Sequence, residues 1–132
     1  MKKNLLFVLA LLPFAASAQK IDPCVTKGNA QEMSACAKDE YTKSQADLKK
    51  TYASLLKQIP DKDEDGIPYK AVKKQLEKAE KAWAVFVEED CKSISIYNRG
   101  SALKDIEYYN CMRSHTEQRT GDLGRFVRKP KS

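Results

Sequence analysis

Cys24, Cys36, Cys91 and Cys111 carry most of the chemical potential of this 132-residue chain. Thiols at such positions serve as nucleophiles, metal ligands or disulfide partners, and the compartment decides among these. His115 is the only histidine. A zinc site needs three or four ligands, and haem attachment needs Cys-x-x-Cys-His, which is absent. No Ser or Thr sits in a nucleophile elbow, and a lone His without an orienting partner gives no catalytic constellation. The carboxylates are spread among lysines, as on a solvated helix face. We therefore expect no enzyme activity, no cofactor and no metal. Asp61-x-Asp63-x-Asp65-Gly66 matches the first half of a calcium-binding EF-hand loop. Its second half fails, because Val72 stands where a bidentate Glu belongs and Pro68 intrudes. The segment reads as an acidic connector whose bend is supplied by Gly66.

The first eighteen residues settle the compartment. Lys2 and Lys3 precede an apolar run from Leu5 to Leu12, and Ala16-Ser17-Ala18 forms a small-x-small cleavage site before Gln19. That run is too short to span a hydrocarbon core of about 30 Å. No cysteine follows the cleavage point directly, which argues against a lipid anchor. We read residues 1–18 as a cleaved signal peptide, 19–124 as one domain and 125–132 as a basic tail. The expected location is periplasmic or secreted, without a transmembrane segment. An even number of cysteines there indicates disulfides. Loss of Lys2 and Lys3 leaves 22 Lys and Arg against 18 Asp and Glu, a net charge of +4. Arg125, Arg128, Lys129 and Lys131 concentrate in the tail, where weak contact with an anionic envelope surface is possible. Nucleic acid is excluded as a partner by the compartment.

The elements that position these residues are helices. Asn29-x-x-Glu32 is a capping-box pattern opening a stretch free of Gly and Pro. Met33, Ala37, Tyr41, Leu48, Tyr52, Leu55 and Ile59 recur along it at helical spacing, until Pro60. A second helix begins near Pro68. Its stripe is Tyr69, Val72, Leu76, Ala79, Trp83, Phe86 or Val87, and Cys91. Asn98-Arg99-Gly100 forms a turn, and a third helix runs from about Ser101, with Ile106, Tyr109, Met112 and Thr116 inward, to Gly121 or Gly124. The fold class is all-α, a small antiparallel bundle of three main helices with two disulfides. Trp83, Phe86, Tyr52 and Tyr109 are assigned to its core. Arg119 is placed to pair with Glu80 or Glu88, or to favour the helix C-terminus by charge.

The same geometry favours one disulfide pattern. A helical hairpin bent at Gly100 brings Cys91 level with Cys111. The extended segment from Cys24 to Gly28 is long enough to fold back over the first turns of helix one, reaching Cys36. Cys24–Cys36 with Cys91–Cys111 is thus preferred, with three connectivities formally open.

Successive segments resemble a known family. Glu32-Met33-x-x-Cys36-Ala37, Leu48-x3-Tyr52, Ala79-x-x-Ala82-Trp83-x-x-Phe86-x4-Cys91, Gly100-Ser101 and Cys111-x4-Thr116-x-x-Arg119-x3-Leu123 are similar, in order and spacing, to the lysozyme inhibitor LprI-like domain. The likeness runs from about Cys24 to Leu123. Glu80, Val87 and Lys49 depart from it, where the family tends to have Gln, Arg and Asn. The resemblance implies a small exported helical protein that binds a protein target, lysozyme being the one its name suggests. The alternative is an envelope-associated structural or binding module without inhibitory activity. For either, Ile96, Tyr97 and Arg99, on the connector from Ser95 to Ser101, combine the aliphatic, aromatic and guanidinium groups that anchor interfaces.

Overall fold

The computed structural model describes residues 22–26 and 28–126. The expected signal peptide and the tail residues Arg128, Lys129 and Lys131 lie outside them. Three helices follow in order: α1 (Ala30–Gln58), α2 (Tyr69–Tyr97) and α3 (Lys104–Gly124). No named strand occurs among the described residues, and none of the helices there is long and apolar enough to cross a membrane.

Each helix starts where local chemistry permits. Asn29 is extended, and its side chain accepts from the Glu32 amide at 3.0 Å, satisfying one of the unpaired donors of the first turn of α1. Pro68 holds the cap position of α2 but has no side-chain acceptor to offer. That task falls to Asp63, whose Oδ1 accepts from the Lys70 amide at 3.0 Å across the connector. Asp65 and Gly66 sit at φ 51° and 76° within a turn closed by Ile67 N–H donating to the Glu64 carbonyl at 2.8 Å. Two consecutive left-handed residues suit Asp-Gly. The third helix begins at Lys104 rather than Ser101, because the Ser101 hydroxyl accepts from the Leu103 amide at 3.0 Å and holds that stretch as a turn.

Both α1 and α2 pack on α3, α1 the more extensively. Tyr41 meets Tyr109, and farther along Leu55 and Phe126 line one hollow, so α1 and α3 run in the same direction. The α2–α3 pair is antiparallel, as successive contacts Cys91–Cys111, Phe86–His115 and Glu80–Arg119 require. Ala37 and Ser44 on α1 and Thr116 on α3 are buried. Their small side chains let helices approach closely. The Ser44 and Thr116 hydroxyls donate to the Tyr41 and Met112 carbonyls of their own helices, both at 2.7 Å, so neither leaves an unmet polar group in the interior.

The central cluster is Val87, Cys91 and Met112, with Tyr41, Trp83, Tyr108 and Cys111 against it. This resolves the choice on α2. Val87 is buried, whereas Phe86 is 58% exposed and leaves the core assigned to it. Val72, also expected inward, is exposed, while Trp83, Tyr52 and Tyr109 are half-buried. Both favoured disulfides are present, Cys24–Cys36 with Cα atoms 5.6 Å apart and Cys91–Cys111 at 5.7 Å. The first is reinforced by Arg113, which donates to Asp22 at 2.9 Å, while Asp22 also accepts from the Cys24 amide at 2.8 Å. The N-terminal segment is therefore bolted to α1 covalently and to α3 by charge.

Candidate functional site

Ile96, Tyr97 and Arg99 lie at the end of the molecule where α2 gives way to α3. Ile96 and Tyr97 belong to the last turn of α2, not to a loop, and only Arg99 lies in the turn itself. The turn is closed by backbone bonds from Asn98 N–H to the Ile94 carbonyl at 3.0 Å, Arg99 to Ile96 at 3.2 Å and Ser101 to Asn98 at 2.9 Å. The Asn98 side chain donates to the same Ile94 carbonyl at 3.0 Å. Tyr97 is 90% exposed and Ile96 61%, and Leu103 adds a third exposed apolar side chain across the turn. A tyrosine so accessible on hydrogen-bonded backbone, with the Cys91–Cys111 bridge below it, presents a large ring at little ordering cost.

A second feature was not visible in the sequence. Tyr41, Gln45, Leu48 and Tyr52 from α1 face Glu80, Trp83 and Glu88 from α2 across an open groove of about 320 Å³, floored by Met112 and Thr116 of α3. The residues were legible as helical stripes, but the stripes of α1 and α2 do not close on each other. At one end Glu80 is bound by Arg119, whose Nε donates at 2.8 Å and whose terminal nitrogen also reaches it. Glu80 is thus the partner chosen from the two expected. At the other end Glu88 is held loosely, with the Tyr108 hydroxyl and Lys92 Nζ each at 3.4 Å. Burial raises the pKa of Tyr41, Tyr52 and Tyr108, and nearby carboxylates push the same way: Glu88 for Tyr41 and Tyr108, Glu77 and Glu80 for Tyr52.

The remaining candidates have structural duties. Asp61 pairs with Lys73 and Asp63 caps α2. His115 is half-buried, with Nε2 2.8 Å from Asp90 Oδ2 and its ring edge-on to Phe86. Among the described residues the only grouping with metal-ligand spacing is Cys91, Cys111 and His115. Both sulfurs are joined in the disulfide, so the set offers one imidazole and does not fit a metal. Arg125 is paired with Asp122 one turn back.

Two disulfides, a central helix with two partners, an exposed turn and an open groove define a small stapled all-α domain. The chain belongs to the lysozyme inhibitor LprI family, the match covering residues 23–123. It is 28% identical over 113 residues to an uncharacterized protein of Rhizobium meliloti (strain 1021), spanning 82% of this chain and 81% of that protein. No solved structure matches it. Family membership supports a lysozyme-inhibitor-like role in general.

Proposed function

We propose that the exported domain inhibits a lysozyme-type muramidase by direct contact through the Ile96-Tyr97-Arg99 end of the α2–α3 hairpin. Family membership supplies the class of target. The observation that carries the choice of surface is the exposure of Tyr97 and Ile96 on the last helical turn of α2, next to the connecting turn and above the Cys91–Cys111 bridge. Muramidases hydrolyse glycosidic bonds with a pair of carboxyl groups in a cleft. A projecting turn bearing the Arg99 guanidinium can enter such a cleft, which the flank of a helix cannot. Net charge gives no long-range steering toward a basic lysozyme, so attraction is short-range and local.

Tyr97→Ala combined with Arg99→Ala should weaken inhibition at least tenfold, about 1.4 kcal/mol, with helicity unchanged by circular dichroism. Inhibition that survives the double substitution would move the contact elsewhere. Failure of the wild-type protein at micromolar concentration against chicken-, goose- and invertebrate-type lysozymes would replace this reading with that of an envelope-associated module.

A further inference from the structure

The groove between α1 and α2 is separate from the α2–α3 turn and calls for a different ligand. Its volume of about 320 Å³ stands at the lower end of the about 300–1,000 Å³ typical of ligand pockets. Tyr41, Tyr52 and Trp83 line it, three rings whose faces attract cations. Glu88 shares the α2 wall with Trp83, facing Tyr41 of α1, and its carboxylate is under-committed. Lys92, one of its two neighbours, lies closer to Glu89, at 2.9 Å, than to Glu88. The other is a neutral hydroxyl at the limit of hydrogen-bond length. The chain itself shows what such a carboxylate takes, because Glu80, two turns earlier on α2, holds the Arg119 guanidinium. Lys49 lines the groove from α1 but is three residues from Tyr52, on the Glu80 side, so at the Tyr41–Glu88 end the carboxylate beside the aromatic walls is met only in part, by Lys92.

We propose that the Tyr41–Trp83–Glu88 end of the groove is a docking site for an arginine or lysine side chain presented by a basic protein partner. The cation would lie against the rings and pair with Glu88, while its aliphatic stem covers Leu48 and Met112 on the groove wall and floor. Nothing in this requires the partner to be a lysozyme.

Trp83 is the only tryptophan, so its fluorescence reports on the groove directly. Disulfide-intact protein should be titrated with acetyl-Gly-Arg-Gly-amide, with its lysine counterpart, with the glutamate counterpart as control, and with chitotriose as a neutral glycan. Calorimetry should follow the same titrations, so that an optically silent ring does not hide binding. The arginine or lysine peptide should saturate in the millimolar range, weaken as salt is raised, and lose at least tenfold in affinity on Glu88→Gln. Circular dichroism would confirm that this half-exposed substitution folds. No saturation by either cationic peptide, or saturation indifferent to Glu88→Gln, overturns the proposal, as does saturation by chitotriose alone. No lysozyme enters this titration, so its failure would leave the reading of the α2–α3 turn standing, and the reverse also holds.

Discussion

Trp83 shows how the role of one side chain changes between pattern and packing. On the stripe of α2 it reads as a core residue, whose truncation costs roughly 3–5 kcal/mol. In the fold it is half-buried, one side against the Val87–Cys91–Met112 cluster and the other lining the groove. A tryptophan that hides about half of its roughly 200 Å² contributes about 2.5 kcal/mol at 25 cal/mol per Å². Trp83→Ala should therefore lower stability by about 2–3 kcal/mol in urea unfolding. A loss under about 1 kcal/mol would place the ring essentially outside, and one above about 4 kcal/mol would mean that the groove is closed in solution. Phe86 is the converse case. It and Val87 are adjacent on a helix, where one residue step turns the side chain by about 100°. An apolar pair at such a position does not reveal which member faces inward. Only the packing of α3 against α2 decides it, and Val87 is the member buried there beside Met112.

The helices themselves were legible because their boundaries are chemical. Asn29 with Glu32, the Pro60 break, Pro68 and the Asn98-Arg99-Gly100 turn each act within a few residues, so local sequence suffices. The disulfides were legible one step further, since a hairpin bent at Gly100 places Cys91 and Cys111 level. The groove was not legible. Periodicity states which face of a helix is apolar, not whether two such faces meet each other or a third helix. Ser44 was missed for a related reason, a hydroxyl that bonds within its own helix being as acceptable inside as out. The Asp61–Asp65 connector joins both situations. Its oxygens are spaced as in a calcium loop, yet two of its carboxylates serve the start of α2, Asp61 on Lys73 and Asp63 on the Lys70 amide. Asp63→Ala should cost about 1 kcal/mol, as loss of a helix cap does. Asp63→Asn, which keeps an acceptor oxygen, should cost less. Millimolar Ca²⁺ should barely move the melting temperature, whereas a site filled at a hundred times its dissociation constant would add about 2.7 kcal/mol. A clear calcium shift abolished by Asp63→Asn would show that the carboxylates leave their helix duties to bind the ion.

At the scale of the whole molecule, α3 is the organising element, and α2 is the less firmly held of its two partners. Of the 29 residues of α2, only Val87 and Cys91 are buried, both in its second half. Its first half is secured by the Glu80–Arg119 pair, by half-buried Tyr69, Leu76 and Ala79, and by the acidic connector. By contrast, α1 packs along α3 from Ala37 to Leu55, and the Cys24–Cys36 and Asp22–Arg113 links close its N-terminal end. Amides open locally at a cost that follows how much buried contact the opening breaks. Hydrogen exchange followed by mass spectrometry should therefore rank peptides from α3 and the middle of α1 as the slowest and residues 69–80 as the fastest helical segment. The double replacement Cys91→Ala with Cys111→Ala removes the covalent tie of α2 to α3, worth about 3 kcal/mol for a loop of this length. It should speed exchange through the whole of α2 while sparing the Cys24–Cys36 end of α1. Because the exposed turn and one wall of the groove both depend on α2, the same variant should weaken lysozyme inhibition and arginine-peptide binding together. Uniform exchange across all three helices, unchanged in pattern by the double replacement, would show that the bundle opens only as one unit and that α2 has no independent looseness.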